Sequence, residues 1–187
     1  MHVEAMALPG VLLLTPVRFG DERGWVSESW NRKRMADAGI SLDFVQDNRS
    51  WSARAGTVRG LHFQVPPHAQ AKLVQVMRGE ILDVVVDLRR SSPDYGRWIA
   101  VPLSAETGQQ LLVPAGFAHG FVTRADGTEI LYKCSDFYSP AHEGALRFDD
   151  PTLAIDWGLD PGQAILSDKD RKAQGFAGFK SPFTYEG

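Results

Sequence analysis

Lys72-Leu73-Val74-Gln75-Val76-Met77-Arg78-Gly79-Glu80-Ile81-Leu82-Asp83-Val84-Val85-Val86-Asp87-Leu88 is the stretch that decides the fold. Two runs of β-forming residues flank the turn Arg78-Gly79-Glu80, and together they read as a β-hairpin. In the second run Leu82, Val84, Val86 and Leu88 share one face, with Asp83 and Asp87 on the other. Outward from it, further short strands are expected over residues 11–19, 25–30, 44–50, 57–64, 98–102, 110–113, 119–123, 129–138 and 146–148. Turn chemistry separates them, as in Ser91-Ser92-Pro93-Asp94, Glu106-Thr107-Gly108 and Ala125-Asp126-Gly127. One helix fits residues 31–38, with Asn31 as N-cap and Gly39 past its end. The tail from Asp150 onward is punctuated by Pro and Gly and reads as mostly irregular. Many short strands at regular spacing mean an all-β chain: a sandwich, a jelly roll or a small barrel.

Composition sets the outer limits. A chain of 187 residues is most simply one domain, spanning 1–187, and it can bury a core without staples. The hydrophobic share of 43% beside 23% charged residues excludes a disordered chain. The net charge of −3, with no basic run longer than Arg32-Lys33-Arg34, argues against a nucleic-acid partner. Val11-Leu12-Leu13-Leu14 is too short for a membrane span and ends at Pro16. Cys134, the single cysteine, fits a reducing cytosol, so a cytoplasmic protein is expected.

Two places put ionisable side chains on strand-like, otherwise apolar sequence. One runs from Arg59-Gly60-Leu61-His62-Phe63-Gln64 to Gln70-Ala71-Lys72-Leu73-Val74; the other is Pro114-Ala115-Gly116-Phe117-Ala118-His119-Gly120-Phe121. Burial lowers the pKa of a His or Lys, which suits a histidine for proton abstraction near neutral pH. A lysine still charged beside it can hold a developing oxyanion. The plainer reading is a satisfied core histidine and a rim charge. Arg59 and His62 fall on opposite faces of a regular strand. For both to face one ligand the backbone must deviate, and Gly60 is the place for a bulge.

Pro114-x-Gly-x-x-His119-Gly resembles the second motif of the cupin superfamily of β-barrels, where that histidine joins a His-x-His pair to hold a metal. Here the first motif reads His62-Phe63-Gln64, and His2, His68 and His142 lie in unrelated contexts. The barrel is therefore read as metal-free.

Longer motifs are more specific. Arg59-Gly-Leu-His62-Phe-Gln, Lys72-Leu-Val, Gly79 to Arg89 and Pro114 to Phe121 resemble the dTDP-4-dehydrorhamnose 3,5-epimerase family. So do Asp21-Glu-Arg23-Gly-Trp-Val-Ser-Glu28, Phe44-Val-Gln46-Asp-Asn48-Arg-Ser, Tyr132 to Pro140 and Leu166-Ser-Asp-Lys169-Asp170. The motifs keep the family's order from about Gly10 to the tail. The resemblance implies a cupin-type jelly-roll barrel with short peripheral helices, a homodimer, and no cofactor. It also implies epimerisation at C3 and C5 of dTDP-4-dehydro-6-deoxy-D-glucose.

By the same resemblance His62 is the base, Lys72 the cation at the enolate oxygen, and Tyr132 the acid on the opposite face. The carboxylate that orients His62 is expected at Asp170 rather than Asp168. Arg59 would engage the diphosphate, and His119 would sit near sugar or phosphate. Tyr138 would stack on the thymine, with Gln46 and Asn48 reading the pyrimidine edge. Glu143 and Lys169 match binding positions. Arg23 and Glu28 match residues that reach the nucleotide across a dimer interface. Strand parity puts Tyr132 and Tyr138 on one face, roughly 20 Å apart if 129–138 is unbroken. Two alternatives remain open: a relative that epimerises only C3 or only C5, and a catalytically silent cupin that binds the nucleotide sugar.

Overall fold

A computed structural model describes residues 1–185. In chain order its elements are β1 (His2–Ala5), β2 (Leu12–Thr15), β3 (Arg18–Asp21), β4 (Gly24–Ser27), α1 (Arg32–Asp37), β5 (Gln46–Ser52), β6 (Val58–Gln64) and β7 (Lys72–Arg78). Then follow β8 (Glu80–Asp87), β9 (Trp98–Ser104), β10 (Gln110–Val113), β11 (Phe117–Thr123), β12 (Thr128–Cys134), β13 (Glu143–Ala145) and α2 (Asp168–Arg171). A six-stranded sheet has the order β1-β2-β10-β7-β12-β5 and a five-stranded sheet the order β13-β6-β11-β8-β9. Strands β3 and β4 form a separate two-stranded hairpin. Paired strands are antiparallel throughout. This is the expected all-β architecture with short peripheral helices.

Alternation along the strands builds the interior. Val74, Val76, Leu111, Val113 and Ile130 of the larger sheet meet Ile81, Val85, Val101, Leu103, Phe117 and Phe121 of the smaller one. The opposite faces are not left to water. Leu82, Val84, Val86 and Leu88 pack under the tail residues Leu153, Trp157 and Phe183. On the other side α1 places Met35 over Leu14, Leu73 and Leu112. Asn31 Oδ1 accepts from the Arg34 amide at 3.1 Å, so α1 has the cap its sequence announced.

Four expectations need correction. The segment from Lys72 to Leu88 is not a hairpin: β7 lies between β10 and β12, while β8 lies between β11 and β9 in the other sheet. Gly79, at φ +78°, makes a corner between sheets, and a Cβ there would come within 2.5 Å of Thr128 Oγ1. Period-two alternation is the same in a hairpin and in a corner, so the local pattern cannot separate them. Second, the strand expected over 11–19 divides into β2 and β3 around Pro16, which has no amide hydrogen to give a ladder. Third, β12 ends at Cys134, not at 138. Ser135 Oγ accepts from the Ala71 amide and Asp136 Oδ1 from the Phe137 amide, and these side-chain bonds turn the chain. The strand expected over 146–148 is replaced by β13 at 143–145, and β1 had no counterpart in the sequence reading.

Candidate active site

Between the two sheets opens a cavity of about 380 Å³ whose lining includes Arg59, His62, Lys72, His119, Tyr132, Lys169 and Asp170. Its apolar walls come from Val58, Val74, Phe121, Ile130, Ile165 and Leu166. A recess of about 90 Å³ shares His62, Lys72 and Tyr132 with it and adds Gln46, Asn48, Gln64, Gln70, Tyr138 and Glu143. Residues that sequence reading scattered over five strands and the tail therefore face one polar-ended space.

His62 comes from β6 in the five-stranded sheet; Lys72 and Tyr132 come from β7 and β12 in the six-stranded sheet. The base and the acid named by resemblance thus stand on opposite walls. Lys72 pairs with Cys134 across the β7–β12 ladder, and Tyr132 with Val74, so both side chains project from the same inward face. Burial pulls the Lys72 ammonium below its usual pKa, while Cys134, Asp83 and Glu143 act against that pull. Burial pushes the Tyr132 phenol up, Cys134 adds to this, and the group stays protonated at neutral pH.

The backbone deviates where both Arg59 and His62 must face inward. His119 of β11 pairs with His62, but Phe121 pairs with Arg59, so β6 carries one extra residue opposite Gly120. Gly60 sits at φ +126°, and a Cβ there would lie 2.5 Å from Gly120 Cα. The two glycines let β6 and β11 touch backbone to backbone, and the slip turns both side chains to the cavity. Arg59 Nε donates to Ser52 Oγ at 3.2 Å and Nη2 to the Trp51 carbonyl at 3.1 Å.

Asp170 reaches His62 from α2. Nε2 of the imidazole is 2.5 Å from Oδ1 of the carboxylate. Burial alone would raise the Asp170 carboxyl, but the His62 bond, with Ser167 and Lys169, holds it below the ordinary value. Asp168 is exposed on the far side of the same turn. His119 lines the cavity wall, and its Nε2 lies 2.9 and 3.0 Å from the two oxygens of fully buried Asp83. Glu143 is ion-paired with Lys169. Burial favours the neutral Glu143 acid, yet Lys169 and the Tyr138 hydroxyl outweigh it and lower the pKa.

Tyr138 needs a correction of its own. Because the chain bends after Cys134, Tyr138 lines the same recess as Tyr132. An unbroken strand would have carried it roughly 20 Å away. Its amide donates to Gln46 Oε1 at 2.9 Å and its hydroxyl to Glu143 Oε2 at 2.9 Å. Gln46 Nε2 in turn donates to Asn48 Oδ1 at 3.1 Å. Arg23 and Glu28 are the two expected residues that do not join the site. Arg23 pairs with Asp21 in the turn between β3 and β4, and Glu28 with Arg34 and Asn31. Neither lines the cavity or the recess.

Several site residues escaped sequence reading. Asp83 was placed only on the face opposite Leu82; a carboxylate inside a run of β-branched residues was the available signal. Ser50 lines the cavity with a buried hydroxyl that has no partner among the described residues. Its position two residues after Asn48, on the strand face shared with Gln46 and Asn48, was the available signal.

This arrangement can remove a proton from one face of a substrate, hold an oxyanion, and return a proton from the other face. A model of the dTDP-4-dehydrorhamnose 3,5-epimerase family matches residues 5–178. The chain belongs to that family. A dTDP-4-dehydrorhamnose 3,5-epimerase of Pseudomonas aeruginosa is 48% identical over 178 residues, covering 95% of this chain and 97% of the relative. The crystal structure of a dTDP-6-deoxy-D-glucose-3,5-epimerase from Legionella pneumophila, in complex with dTDP-4-keto-L-rhamnose, superposes with a TM-score of 0.93. That pair is 40% identical and covers 100% of this chain and 99% of the other. A Bacillus anthracis member with TDP and PPi bound gives a TM-score of 0.90 at 48% identity, covering 93% and 98%. Among the described residues of this 3,5-epimerase family member, no helix is long and apolar enough to cross a membrane.

Proposed function

We propose that the chain acts as a single-domain dTDP-4-dehydrorhamnose 3,5-epimerase, converting dTDP-4-dehydro-6-deoxy-D-glucose to dTDP-4-dehydro-L-rhamnose. The observation that carries this is the placement of His62 and Tyr132 on opposite sheets across one cavity, with Lys72 beside them. The C4 ketone acidifies the hydrogens on C3 and C5, because the carbanion left behind delocalises onto the ketone oxygen. His62, bonded through Nε2 to ionised Asp170, carries its lone pair on Nδ1 and accepts the proton. The Lys72 ammonium stabilises the enolate oxygen in a partly dry site. Tyr132 gives a proton to the opposite face of the carbon, which inverts it. One proton leaves and one arrives at each centre, so the reaction is redox-neutral and calls for no cofactor.

The nucleotide lies toward the recess. Arg59 takes the diphosphate, for which a guanidinium fork is well suited. Gln46 and Asn48 read the pyrimidine, Tyr138 stacks on it, and Glu143, Lys169 and His119 complete the contacts to the sugar nucleotide. Arg23 and Glu28 act in the cavity of a second copy. Supporting this, the β3–β4 hairpin exposes Phe19, Trp25 and Val26 at 66%, 58% and 74%, an apolar surface suited to a neighbouring protomer. The dimer works in the cytoplasm, where the lone thiol Cys134 stays reduced.

The test is incubation with dTDP-4-dehydro-6-deoxy-D-glucose in heavy water, with a downstream reductase capturing product. Deuterium at both C3 and C5 of an L-configured product is expected. Label at one carbon would reassign the chain to single-site epimerisation, and none would remove the activity.

A further inference from the structure

We propose that His68 and His142 are positioning residues that latch the loop presenting Tyr138 and Glu143 to the nucleotide. The inference rests on the reading of those two residues as nucleotide contacts. Neither histidine lines the cavity or the recess. Both sit one layer outside, where the turn after β6 meets the irregular segment between β12 and β13. Their rings stack edge to face with centroids 4.6 Å apart.

Each ring is also tied to the segment it restrains. His68 Nδ1 lies 3.1 Å from Asp136 Oδ2, and an ionised carboxylate only accepts, so Nδ1 donates. Asp136 is kept ionised by its bond from the Phe137 amide and by His68. His142 Nδ1 is 2.7 Å from Ser139 Oγ, and the His142 carbonyl accepts from the Val65 amide at 2.8 Å. The latch therefore closes the turn at 65–68 onto both ends of the loop, Asp136 at one side and Ser139 to His142 at the other.

An inner layer already holds the main chain. Buried Gln64 donates to the carbonyls of His68 and Phe137 and accepts from the Ser139 amide; Gln70 donates to the Asp136 carbonyl. That layer fixes where the loop runs. It leaves Tyr138, 53% exposed, dependent on its bonds to Gln46 and Glu143 for its direction. Ordering an exposed aromatic at the moment of binding costs conformational entropy, and a loop locked beforehand avoids that cost. The histidine pair supplies this lock without touching the reacting sugar.

The experiment compares His68→Ala, His142→Ala and the double variant with the wild type. It reads steady-state kinetics, dTDP affinity by calorimetry, and amide hydrogen exchange over residues 135–143. KM and the dTDP dissociation constant should rise about fivefold for each hydrogen bond lost. At the same time kcat should stay within about twofold, since the groups at the reacting carbons are untouched. Exchange at the Tyr138 and Ser139 amides should quicken. His68→Asn, whose amide can still donate to Asp136, should restore most of the affinity, a rescue that a merely space-filling role would not predict. Unchanged exchange in the double variant would overturn the latch. Faster exchange with wild-type KM would overturn its link to binding. Faster exchange in a protein whose wild type binds no dTDP would overturn the nucleotide reading of Tyr138 and Glu143 while leaving the latch in place.

Discussion

Nε2 of His62 lies 2.5 Å from Oδ1 of Asp170, across 108 residues of chain. The contact depends on how the tail is tied to β6. The Val58 amide donates to the Ile165 carbonyl at 3.0 Å and the Ile165 amide to the Gly56 carbonyl at 2.9 Å. From that anchor Ser167 caps the short helix α2, its hydroxyl accepting from the Asp170 amide at 3.1 Å. The helix turn then swings Asp170 under the imidazole. An irregular tail thus supplies the carboxylate partner of His62.

Asp170→Asn should keep the geometry and lose the charge. Without a carboxylate to accept the Nε2 hydrogen, the imidazole loses the bond that fixes its tautomer, and kcat should fall roughly 10²–10⁴-fold. The acid limb of stability should change as well. The folded-state pKa of Asp170 is depressed, so its stabilisation is present above the unfolded-state value and vanishes as pH falls through the folded one. Urea melts between neutral pH and pH 3 should show a shallower acid decline for the variant than for the wild type; parallel curves would remove this contribution.

Tyr132→Phe should separate removal of a proton from inversion. Product formation is expected to fall roughly 10²–10⁴-fold, while exchange of the substrate hydrogen with heavy water falls less. Equal losses in both would take Tyr132 out of the acid's role.

Lys72→Met should inactivate the protein and stabilise it. Burial depresses the lysine pKa, so the folded state binds fewer protons than the unfolded state between the two values. Stability therefore rises with pH through that window, and the charged side chain is a cost below it. At pH 7 methionine removes the cost with similar volume, and Tm should rise by about 2–4 °C per kcal/mol relieved. A lower Tm would mean that the carboxylates of Asp83 and Glu143 compensate the buried charge.

Gly60→Ala should break the close approach of β6 to β11. The added methyl would overlap Gly120 Cα and the His119 carbonyl, at a backbone angle that L-residues avoid. A loss on the order of 2–4 kcal/mol in urea unfolding is expected, with activity falling as Arg59 and His62 lose their shared direction. Wild-type stability would show that the extra residue of β6 can move elsewhere.

Much of the molecule was legible in the chain itself. Asn31 and Gly39 marked both ends of α1, because capping is settled within a few residues. The parity conflict between Arg59 and His62 placed the irregularity of β6 at Gly60, because side-chain direction along a strand is a local property. The corner at Gly79 was not legible, since β7 and β8 alternate as hairpin strands do and only their partners β10, β12, β11 and β9 part them. Nor was the bend after Cys134, where Ser135 and Asp136 compete for backbone bonds that a strand would have used.

Sequence by itself determined that this chain is all-β, which family its motifs resemble and, through that resemblance, which side chains to expect at the site. Those are consequences of residue type and near-neighbour spacing. Tertiary structure alone decided that His62 and Tyr132 stand on different sheets, and it brought Asp170, the carboxylate the family resemblance had named, to the imidazole. It also buried Asp83 against His119 and brought Tyr138 back to the recess that holds Tyr132. Each of these depends on bonds between segments tens of residues apart, and no local periodicity encodes which distant partner a strand or turn will find.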